Sequence, residues 1–418
     1  MSTLNLTSRA GEQTPLGQAL KDIEVADHWI YDDLPAAIAQ AKATGKPLLV
    51  VLRCVPCPPG KTLDLAVMQP NDETAALEKK FVCVRIIQTN GLDLAVFQYD
   101  YDMSWNAMFL NADLTIYGRY GSRTSSGAGS DGELTLPGFQ KAAERALALH
   151  GAYPGNRGQL AAKTGPAPAF ARPEKTPGLT DKPVPASTRQ NCIHCHMVKE
   201  HALRAKWEQG ELTEKDLYVF PMPDRIGLSM DLKDGVVVKS VMAGSPAAAA
   251  GIEAGDELLT LAGQPLVSTA DIQWVLNAAP SEGSLVATLR RNGQSQTKTL
   301  QLAGDWKKYD IGWRASSWYG LRYGVKFEPL TAEQKRDRGL AEGSLALLIK
   351  GMFGRGGPIL QQAGVRQNDV IVGIDGNTAA MSESEFLVHL RTKYRPQDKL
   401  QLAVLRGGER KELTVPVW

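Results

Sequence analysis

Four of the five cysteines stand in two Cys-x-x-Cys pairs, and these pairs carry the most specific chemistry in the sequence. One pair is Cys54 and Cys57, and the other is Cys192 and Cys195, which His196 follows directly. Two thiols at this spacing form a disulfide, hold a metal ion or attach a haem. The sequence therefore predicts redox or metal chemistry at two places along the chain.

The second pair has the Cys-x-x-Cys-His pattern through which haem is attached covalently. Two thiols on one short turn reach the two vinyl groups of a porphyrin, and the next histidine supplies the proximal iron ligand. Over these residues and the helix that follows, the chain resembles c-type cytochromes. The resemblance implies haem c bound by Cys192, Cys195 and His196, with Met222, presented between two prolines, as the candidate distal ligand.

Two alternatives for the second pair stay open. A tetrahedral zinc site could use Cys192, Cys195, His196 and His201, because both the cysteine and the histidine spacings suit zinc. A plain disulfide or dithiol of the two cysteines is the other alternative. His194 lies inside the attachment loop and is expected to point away from a haem.

The first pair follows a short apolar run at residues 48–52, inside an alternating helix and strand pattern over residues 23–150. This region resembles the thioredoxin-like family in its helix, its Gly-Lys-Pro-Leu run, its strand and its Cys-x-x-Cys. The resemblance implies that Cys54 is the attacking thiol, with a pKa lowered by a helix N-terminus, and that Cys57 resolves the disulfide. The chain departs from the family because prolines follow Cys57 directly, which displaces the helix start, and because no proline stands at residues 104–106. Cys83 is expected to be a core thiol.

Beyond these pairs, the composition excludes several classes of protein. The chain has 418 residues, a hydrophobic fraction of 43% and a net charge of +2, which gives no case for nucleic-acid binding. No run approaches 18 apolar residues, so no transmembrane segment is expected. There is no Gly-x-Ser-x-Gly motif, and the six histidines suggest no serine protease triad. Haem attachment requires an extracytoplasmic compartment, so a periplasmic location is expected although no signal peptide is visible.

An internal repeat occupies the C-terminal part of the chain. The runs that begin at Ala250 and Ala363 align at a constant offset of 113 residues, and each is followed by a helix and a hairpin. Both copies resemble PDZ domains of the HtrA type, through Gly-Ser-Pro-Ala, Ala-Gly-Ile and Gly-Asp runs in the first copy. In such domains a peptide C-terminus adds as a strand between a sheet edge and a helix.

The resemblance also implies which residues bind the peptide. In the first copy the loop and strand fall at residues 225–230, and the peptide-binding residues are Ile226, Gly227, Leu228, Ile272, Val275 and Leu276. In the second copy the loop and strand fall at residues 323–327, and the helix supplies Phe386, Leu387 and Leu390.

These patterns predict a multidomain chain with an α/β thioredoxin-like domain, a Pro-rich linker, a short helical Cys-x-x-Cys-His segment and two mostly-β PDZ domains. The boundaries are a polar tail at 1–22, the thioredoxin-like domain at 23–150, the linker at 151–189, the haem segment at 190–222 and PDZ domains at 223–304 and 305–418. The arrangement resembles bacterial PDZ proteins that carry a Cys-x-x-Cys-His motif.

For function, we expect an extracytoplasmic redox and electron-transfer protein whose PDZ domains recruit a partner's peptide terminus to the haem and the thioredoxin-like domain. One alternative is a thiol–disulfide oxidoreductase that uses Cys54 and Cys57, with PDZ domains selecting substrates. The other is a non-catalytic PDZ scaffold with zinc or a disulfide at Cys192 and Cys195.

Overall fold

The computed structural model describes residues 11–57, 61–69, 71–121, 134–320, 324–354 and 356–417. The chain divides into two compact units. The first consists of Met1–Val198 and Phe220–Lys308, and the second of Lys199–Val219 and Tyr309–Trp418.

The helices are α1 Pro15–Leu20, α2 Leu34–Thr44, α3 Lys61–Met68, α4 Asp72–Glu78, α5 Leu136–Gly151, α6 Arg157–Leu160, α7 Cys195–Gln209, α8 Glu214–Leu217, α9 Pro246–Ala249, α10 Thr269–Ala278, α11 Ala315–Gly320, α12 Ala332–Arg336, α13 Gly356–Gln362 and α14 Glu383–Lys393. The strands are β1 Trp29–Tyr31, β2 Leu48–Arg53, β3 Val82–Ile86, β4 Trp105–Leu110, β5 Ile116–Tyr120, β6 Leu228–Met230, β7 Val238–Val241, β8 Glu257–Leu261, β9 Gln264–Pro265, β10 Gly283–Arg291, β11 Gln294–Leu302, β12 Val325–Pro329, β13 Leu347–Met352, β14 Val370–Ile374, β15 Lys399–Arg406 and β16 Glu409–Pro416.

A five-stranded sheet in the order β1-β3-β2-β4-β5 forms the centre of the thioredoxin-like domain. Strands β1, β2 and β3 are parallel, and β4 and β5 are antiparallel to their neighbours. All six residues of β2 are buried, as a continuous apolar run between helices requires. Helix α2 begins after Asp33, whose side chain accepts from the Ala36 N–H, and ends at Gly45, which has a φ of +67°. The α/β pattern predicted for residues 23–150 is present.

The segment predicted as a polar tail at 1–22 is structured where the structure describes it. Thr14 caps the short helix α1, and Leu16 is buried. The Asp22 carboxylate accepts hydrogen bonds from Arg85 at 2.8 and 2.7 Å and from the Tyr31 hydroxyl at 2.6 Å. Because Arg85 lies on β3 and is itself buried, this segment completes the domain core.

The Pro-rich segment predicted as a linker at 151–189 lies against the rest of the first unit. The segment has few large side chains, and three of them are almost fully buried: Leu160, Lys163 and Leu179. The backbone N–H of Leu94 donates to the Ala171 carbonyl at 3.0 Å. The segment contains helix α6 and two 3-10 turns. Because its side chains and backbone make buried contacts, it is not the extended linker that its composition predicts.

The first PDZ domain contains the β6–β7 pair, the four-stranded sheet β11-β10-β8-β9 and helices α9 and α10. Its β10–β11 hairpin turns through Asn292 and Gly293, which both have positive φ values, 51° and 78°. That geometry is what the Asn-Gly dipeptide predicts. The second PDZ domain has the sheet order β12-β13-β14-β15-β16.

The aligned Gly-Asp positions of the repeat have the same structural role in both copies. Arg291 holds Asp256 through two hydrogen bonds of 2.6 and 2.7 Å, and Arg406 holds Asp369 through two of 2.7 Å. In each copy the same guanidinium also donates to the carbonyl of the aligned glycine. The repeated aspartate is therefore a buried anchor between the loop and the hairpin.

The segment predicted as one haem-bearing piece at 190–222 is divided between the two units. Its part from Lys199 to Val219 packs with the second PDZ domain, where Leu203 and Trp207 join the hydrophobic core. The Trp207 indole N–H donates to the Tyr394 carbonyl at 2.6 Å. This part therefore belongs structurally to that domain.

The first PDZ domain contacts both the Pro-rich segment and the thioredoxin-like domain through buried charges. The Lys163 ammonium lies 2.8 Å from the Asp271 carboxylate, and all these side-chain atoms are at most 2% exposed. The Arg119 guanidinium lies 3.7 Å from the same carboxylate and stacks on the Trp274 ring at 3.8 Å. Within the part of the chain that the structure describes, no helix combines the length and apolar character needed to cross a membrane.

Candidate functional site

Cys54 and Cys57 lie at the carboxyl end of β2. The backbone N–H of Cys54 donates to the Ser104 carbonyl at 2.9 Å, and that of Cys57 donates to the Cys54 carbonyl at 3.0 Å, so the pair forms a tight turn. Residues 58–60, which include the proline pair, lie outside the described residues, and α3 is described from Lys61 onward. The displaced helix start stays a prediction.

The Cys-x-x-Cys-His segment runs directly against this turn. The Thr89 hydroxyl donates to the Ile193 carbonyl at 2.9 Å, and the Ile193 N–H donates to the Asn90 side-chain oxygen at 2.7 Å. These bonds hold His194 so that its Nδ1 lies 3.2 Å from the Cys54 Sγ. The fold therefore brings together two motifs that are 140 residues apart in sequence.

One side chain from each motif, together with Cys57, makes a cluster suited to a metal ion. One ligand atom each of Cys54, Cys57 and His194 lies within 4.8 Å of the others. Sequence reasoning missed His194, because the attachment-loop pattern gave it no role. The zinc set expected from the sequence, Cys192, Cys195, His196 and His201, is not the set that the described structure gathers.

The pKa values of the Cys54 and Cys57 thiols are shifted in the opposite directions to those that the thioredoxin-like resemblance implies. The hydrogen bond that Cys54 shares with Cys57, together with burial, raises the pKa of Cys54 well above its usual value. The same bond and the neighbouring His194 lower the pKa of Cys57 to about 5. Cys54 is also 5% exposed rather than open to solvent. Burial therefore disfavours the thiolate of Cys54, and its role as the attacking thiol stays an untested prediction.

The two cysteines of the second pair are inside the protein. Cys192 is 4% and Cys195 is 6% exposed, and the Tyr99 hydroxyl donates to the Cys195 Sγ at 3.2 Å. Burial raises the pKa of Cys192 to about 12 and of Cys195 to about 11. The cavity that both line has room for about one water molecule. This site as folded does not offer the space that a porphyrin needs, and haem c at Cys192, Cys195 and His196 stays an untested prediction.

The remaining candidate ligands lie elsewhere. Met222 is half-buried and caps the 3-10 turn Pro223–Ile226 that leads into β6. His201 belongs to the second unit, whereas Cys192 and His196 belong to the first. Cys83 is 1% exposed and joins the hydrophobic core, which confirms the expected core thiol.

The first PDZ domain presents a strand edge for peptide addition. Strand β6 pairs only with β7 among the described strands. The Met242 N–H donates to the Gly227 carbonyl at 2.8 Å. Hydrogen bonding alternates along an antiparallel pair, so the next residue, Leu228, directs its backbone N–H and C=O to the free edge. Gly227 has a φ of +89°, and helix α10 lies beside the turn before β6.

The side chains expected to line the peptide pocket form the core of this domain. Each is at most 2% exposed in one hydrophobic cluster: Ile226, Leu228, Ile272, Val275 and Leu276. Arg225, in the expected loop, donates to the carbonyls of Trp306 and Lys308 at 3.2 and 2.6 Å. These apolar side chains pack in the core of the domain, and their contact with a bound peptide stays a prediction.

The corresponding residues of the second PDZ domain are described only in part. Tyr323 lies outside the described residues, and Gly324, with a φ of +87°, precedes β12. The helix residues Phe386, Leu387 and Leu390 are fully buried in the domain core. Their expected contact with a peptide stays a prediction.

Comparisons with known families agree with this architecture. The thioredoxin-like family matches residues 29–112, and the PDZ domain family matches residues 225–302 and 355–417. The chain therefore contains a thioredoxin-like domain and two PDZ domains, as the sequence predicted.

Curated relatives come from the HtrA and DegP group. A probable periplasmic serine endoprotease, DegP-like, from Pseudomonas putida strain F1 is 29% identical over 190 residues, which cover 44% of this chain and 38% of the relative. The serine protease Do-like HtrA from Lactococcus lactis is 34% identical over 79 residues, 19% of each chain. The chain thus spans well under half the length of these relatives.

Solved structures give the same group at low overall similarity. The HtrA3 PDZ domain bound to a phage-derived ligand is 22% identical, with 20% of this chain and 93% of that chain covered and a TM-score of 0.17. The HtrA-type protease AlgWS227A with decapeptide is 24% identical, with 32% and 40% covered and a TM-score of 0.21. These scores are too low to support a structural inference.

The relatives correct the functional expectation. The sequence predicts a haem-bearing redox and electron-transfer protein, with a thiol–disulfide oxidoreductase or a non-catalytic PDZ scaffold as alternatives. The curated relatives are named serine endoproteases, so the similarity indicates HtrA-type proteins and not haem electron carriers. That expectation is wrong.

Proposed function

We propose that this chain is an extracytoplasmic peptide-binding protein of the HtrA type, in which the first PDZ domain takes the free C-terminal end of an extended polypeptide. One observation carries the proposal: among the described strands β6 pairs only with β7, and Leu228 directs its backbone N–H and C=O toward the opposite edge. A peptide that adds there gains main-chain hydrogen bonds as a new strand. The extracytoplasmic location is part of the proposal, because the curated relatives are named periplasmic.

A charged side chain placed near the start of β6 tests peptide binding without disturbing the domain core. Met242 is 62% exposed, and its Cβ lies 3.6 Å from where a side chain on Gly227 would begin. A charge at position 242 would therefore stand near the carboxylate of a bound peptide. At the protein surface such an interaction is worth about 0.5–1 kcal/mol, or roughly two- to five-fold in affinity.

The experiment measures binding of a fluorescent decapeptide with an apolar C-terminal residue, by anisotropy, with the free carboxylate and with an amide. We expect the amide to bind at least tenfold more weakly, M242E to weaken binding of the free acid and M242K to strengthen it. Val286→Glu, at another exposed position of the domain, 44% exposed, is the matched control and should leave the affinity unchanged. Equal binding of acid and amide, or no difference between M242E and M242K, would overturn the proposal.

Proteolysis is a second candidate function, because it is the activity that the relatives' names state. It ranks second because the similarity to the relative extends over 190 residues, which is about the length of the part of this chain that contains the two PDZ domains. The same decapeptide, analysed by mass spectrometry after incubation, tests it together with labelling by a serine-reactive fluorophosphonate. Cleavage with labelling would establish a serine protease, and an intact, unlabelled sample would exclude this candidate for the chain.

A further inference from the structure

We infer that Cys54, Cys57 and His194 form a zinc site with three protein ligands and one open coordination position. The site joins the two cysteine motifs and goes beyond peptide binding. It differs from the ligand set expected from the sequence, because only His194 comes from the second motif and both thiols come from the first.

The distances in the cluster fit a tetrahedral ion. Zinc bonds of about 2.3 Å to sulfur and about 2.0 Å to nitrogen place tetrahedral ligand atoms about 3.5–3.8 Å apart. The Cys54 Sγ and the His194 Nδ1 are 3.2 Å apart, and all three ligand atoms lie within 4.8 Å of one another. An ion between them therefore requires side-chain movements of about 1 Å or less.

The backbone on both sides of the cluster is fixed before any ion binds. Cys54 is held to the Ser104 carbonyl, and the Cys57 N–H closes the turn onto Cys54. On the other side, the residue before His194 is fastened by Asn90 and Thr89 through three hydrogen bonds of 2.7–3.1 Å. Binding sites that are preorganised in this way lose little conformational entropy when the ion arrives.

The ligand chemistry selects the ion. Two thiolates with one imidazole are soft to borderline ligands that suit zinc, whereas magnesium and calcium prefer oxygen. Cys54 and His194 line a cavity that has room for about one water molecule beside the cluster. Three protein ligands with an open fourth position are the pattern of zinc sites that bind a water or an exchangeable ligand.

The experiment uses the full chain, reduced and kept without oxygen so that the two thiols cannot form a disulfide. Zinc is added, excess is removed by dialysis, and bound metal is counted by mass spectrometry. Cobalt is used in parallel, because thiolate-to-cobalt and d–d absorption bands report the number of sulfur ligands and a tetrahedral geometry. We expect one zinc per chain and a cobalt spectrum of a two-thiolate site.

Variants locate the ligands. Cys57→Ser and His194→Gln should each lower zinc affinity at least 100-fold and change the cobalt spectrum. His196→Gln, in the same segment, is the matched control and should keep one zinc, and Cys192→Ser should keep it also. Far-UV circular dichroism confirms that each variant is folded. Loss of zinc in His196→Gln or Cys192→Ser with retention in His194→Gln would overturn the assignment, as would wild-type protein that binds no zinc.

Discussion

Replacing Lys163 by methionine removes a positive charge that is buried between the Pro-rich segment and the first PDZ domain. The ammonium lies 2.8 Å from the Asp271 carboxylate, with both side chains at most 2% exposed. Methionine keeps an unbranched, apolar side chain of similar length in place. The substitution therefore tests the charge pair and leaves most of the packing intact.

Breaking a buried ion pair by removing one partner costs about 3–5 kcal/mol, because the other charge is left in a low-dielectric environment. Asp271 keeps two compensating contacts: the Val267 N–H at 3.1 Å and the Arg119 guanidinium at 3.7 Å. Because of these contacts, we expect the free energy of unfolding to fall by about 3 kcal/mol, the lower end of that range. With a urea m-value of about 3 kcal/mol/M, the unfolding midpoint of the first unit should fall by about 1 M.

Urea unfolding followed by tryptophan fluorescence measures the shift, since Trp274 stacks on Arg119 in the same cluster. Lys141→Met is the matched control, because Lys141 forms an exposed pair with Glu144, and such pairs contribute at most about 1 kcal/mol. Asp271→Asn, alone and combined with Lys163→Met, gives the coupling energy, which should exceed about 1 kcal/mol. A Lys163→Met midpoint within about 0.2 M of the wild type would refute this reasoning.

Three further outcomes are expected. Gly118→Ala should destabilise the first unit by about 1–3 kcal/mol, because the added methyl would lie 2.1 Å from a Val267 methyl, and Val267→Ala should recover part of this loss in the same urea assay. Burial raises the pKa of Glu78 to about 8, so between about pH 5 and 8 the folded chain holds a proton that the unfolded chain releases. The free energy of unfolding should therefore fall as the pH rises from about 5 to 8. Glu78→Gln should reduce this slope by up to about 1.4 kcal/mol per pH unit, and an unchanged slope would contradict the raised pKa. Trp207→Phe should lower the stability of the second unit by about 1 kcal/mol, because the hydrogen bond to the Tyr394 carbonyl is lost, and calorimetry that shows no shift in its melting temperature would argue against that role.

Local patterns were enough to predict much of the architecture. The apolar run of β2 became a fully buried strand, and Asn292-Gly293 became the tight turn of a hairpin. The repeat predicted two domains of one fold, and the family matches confirm both as PDZ domains. These features are readable because each depends on residues that are close in sequence.

Features that depend on distant contacts could not be read in this way. No local signal connects His194 with Cys54, since the contact arises only when the second motif lies against the end of β2. Lys163 stands in a Pro-rich segment whose composition predicts exposure, and its burial depends on Asp271, 108 residues away. The apolar residues of α10 could not be assigned from their spacing, because the same helical spacing suits a peptide pocket and a domain core.

The last strand of the thioredoxin-like sheet, β5, owes its protection to the neighbouring domain. The Ser268 hydroxyl donates to the Arg119 carbonyl at 2.6 Å, and Val267 covers Gly118, so the outer side of the strand is occupied. An uncovered edge strand is a template for pairing with another molecule. Expressing the thioredoxin-like domain without the first PDZ domain would therefore yield material with a tendency to self-associate, and fragments of this protein for solution work should retain both.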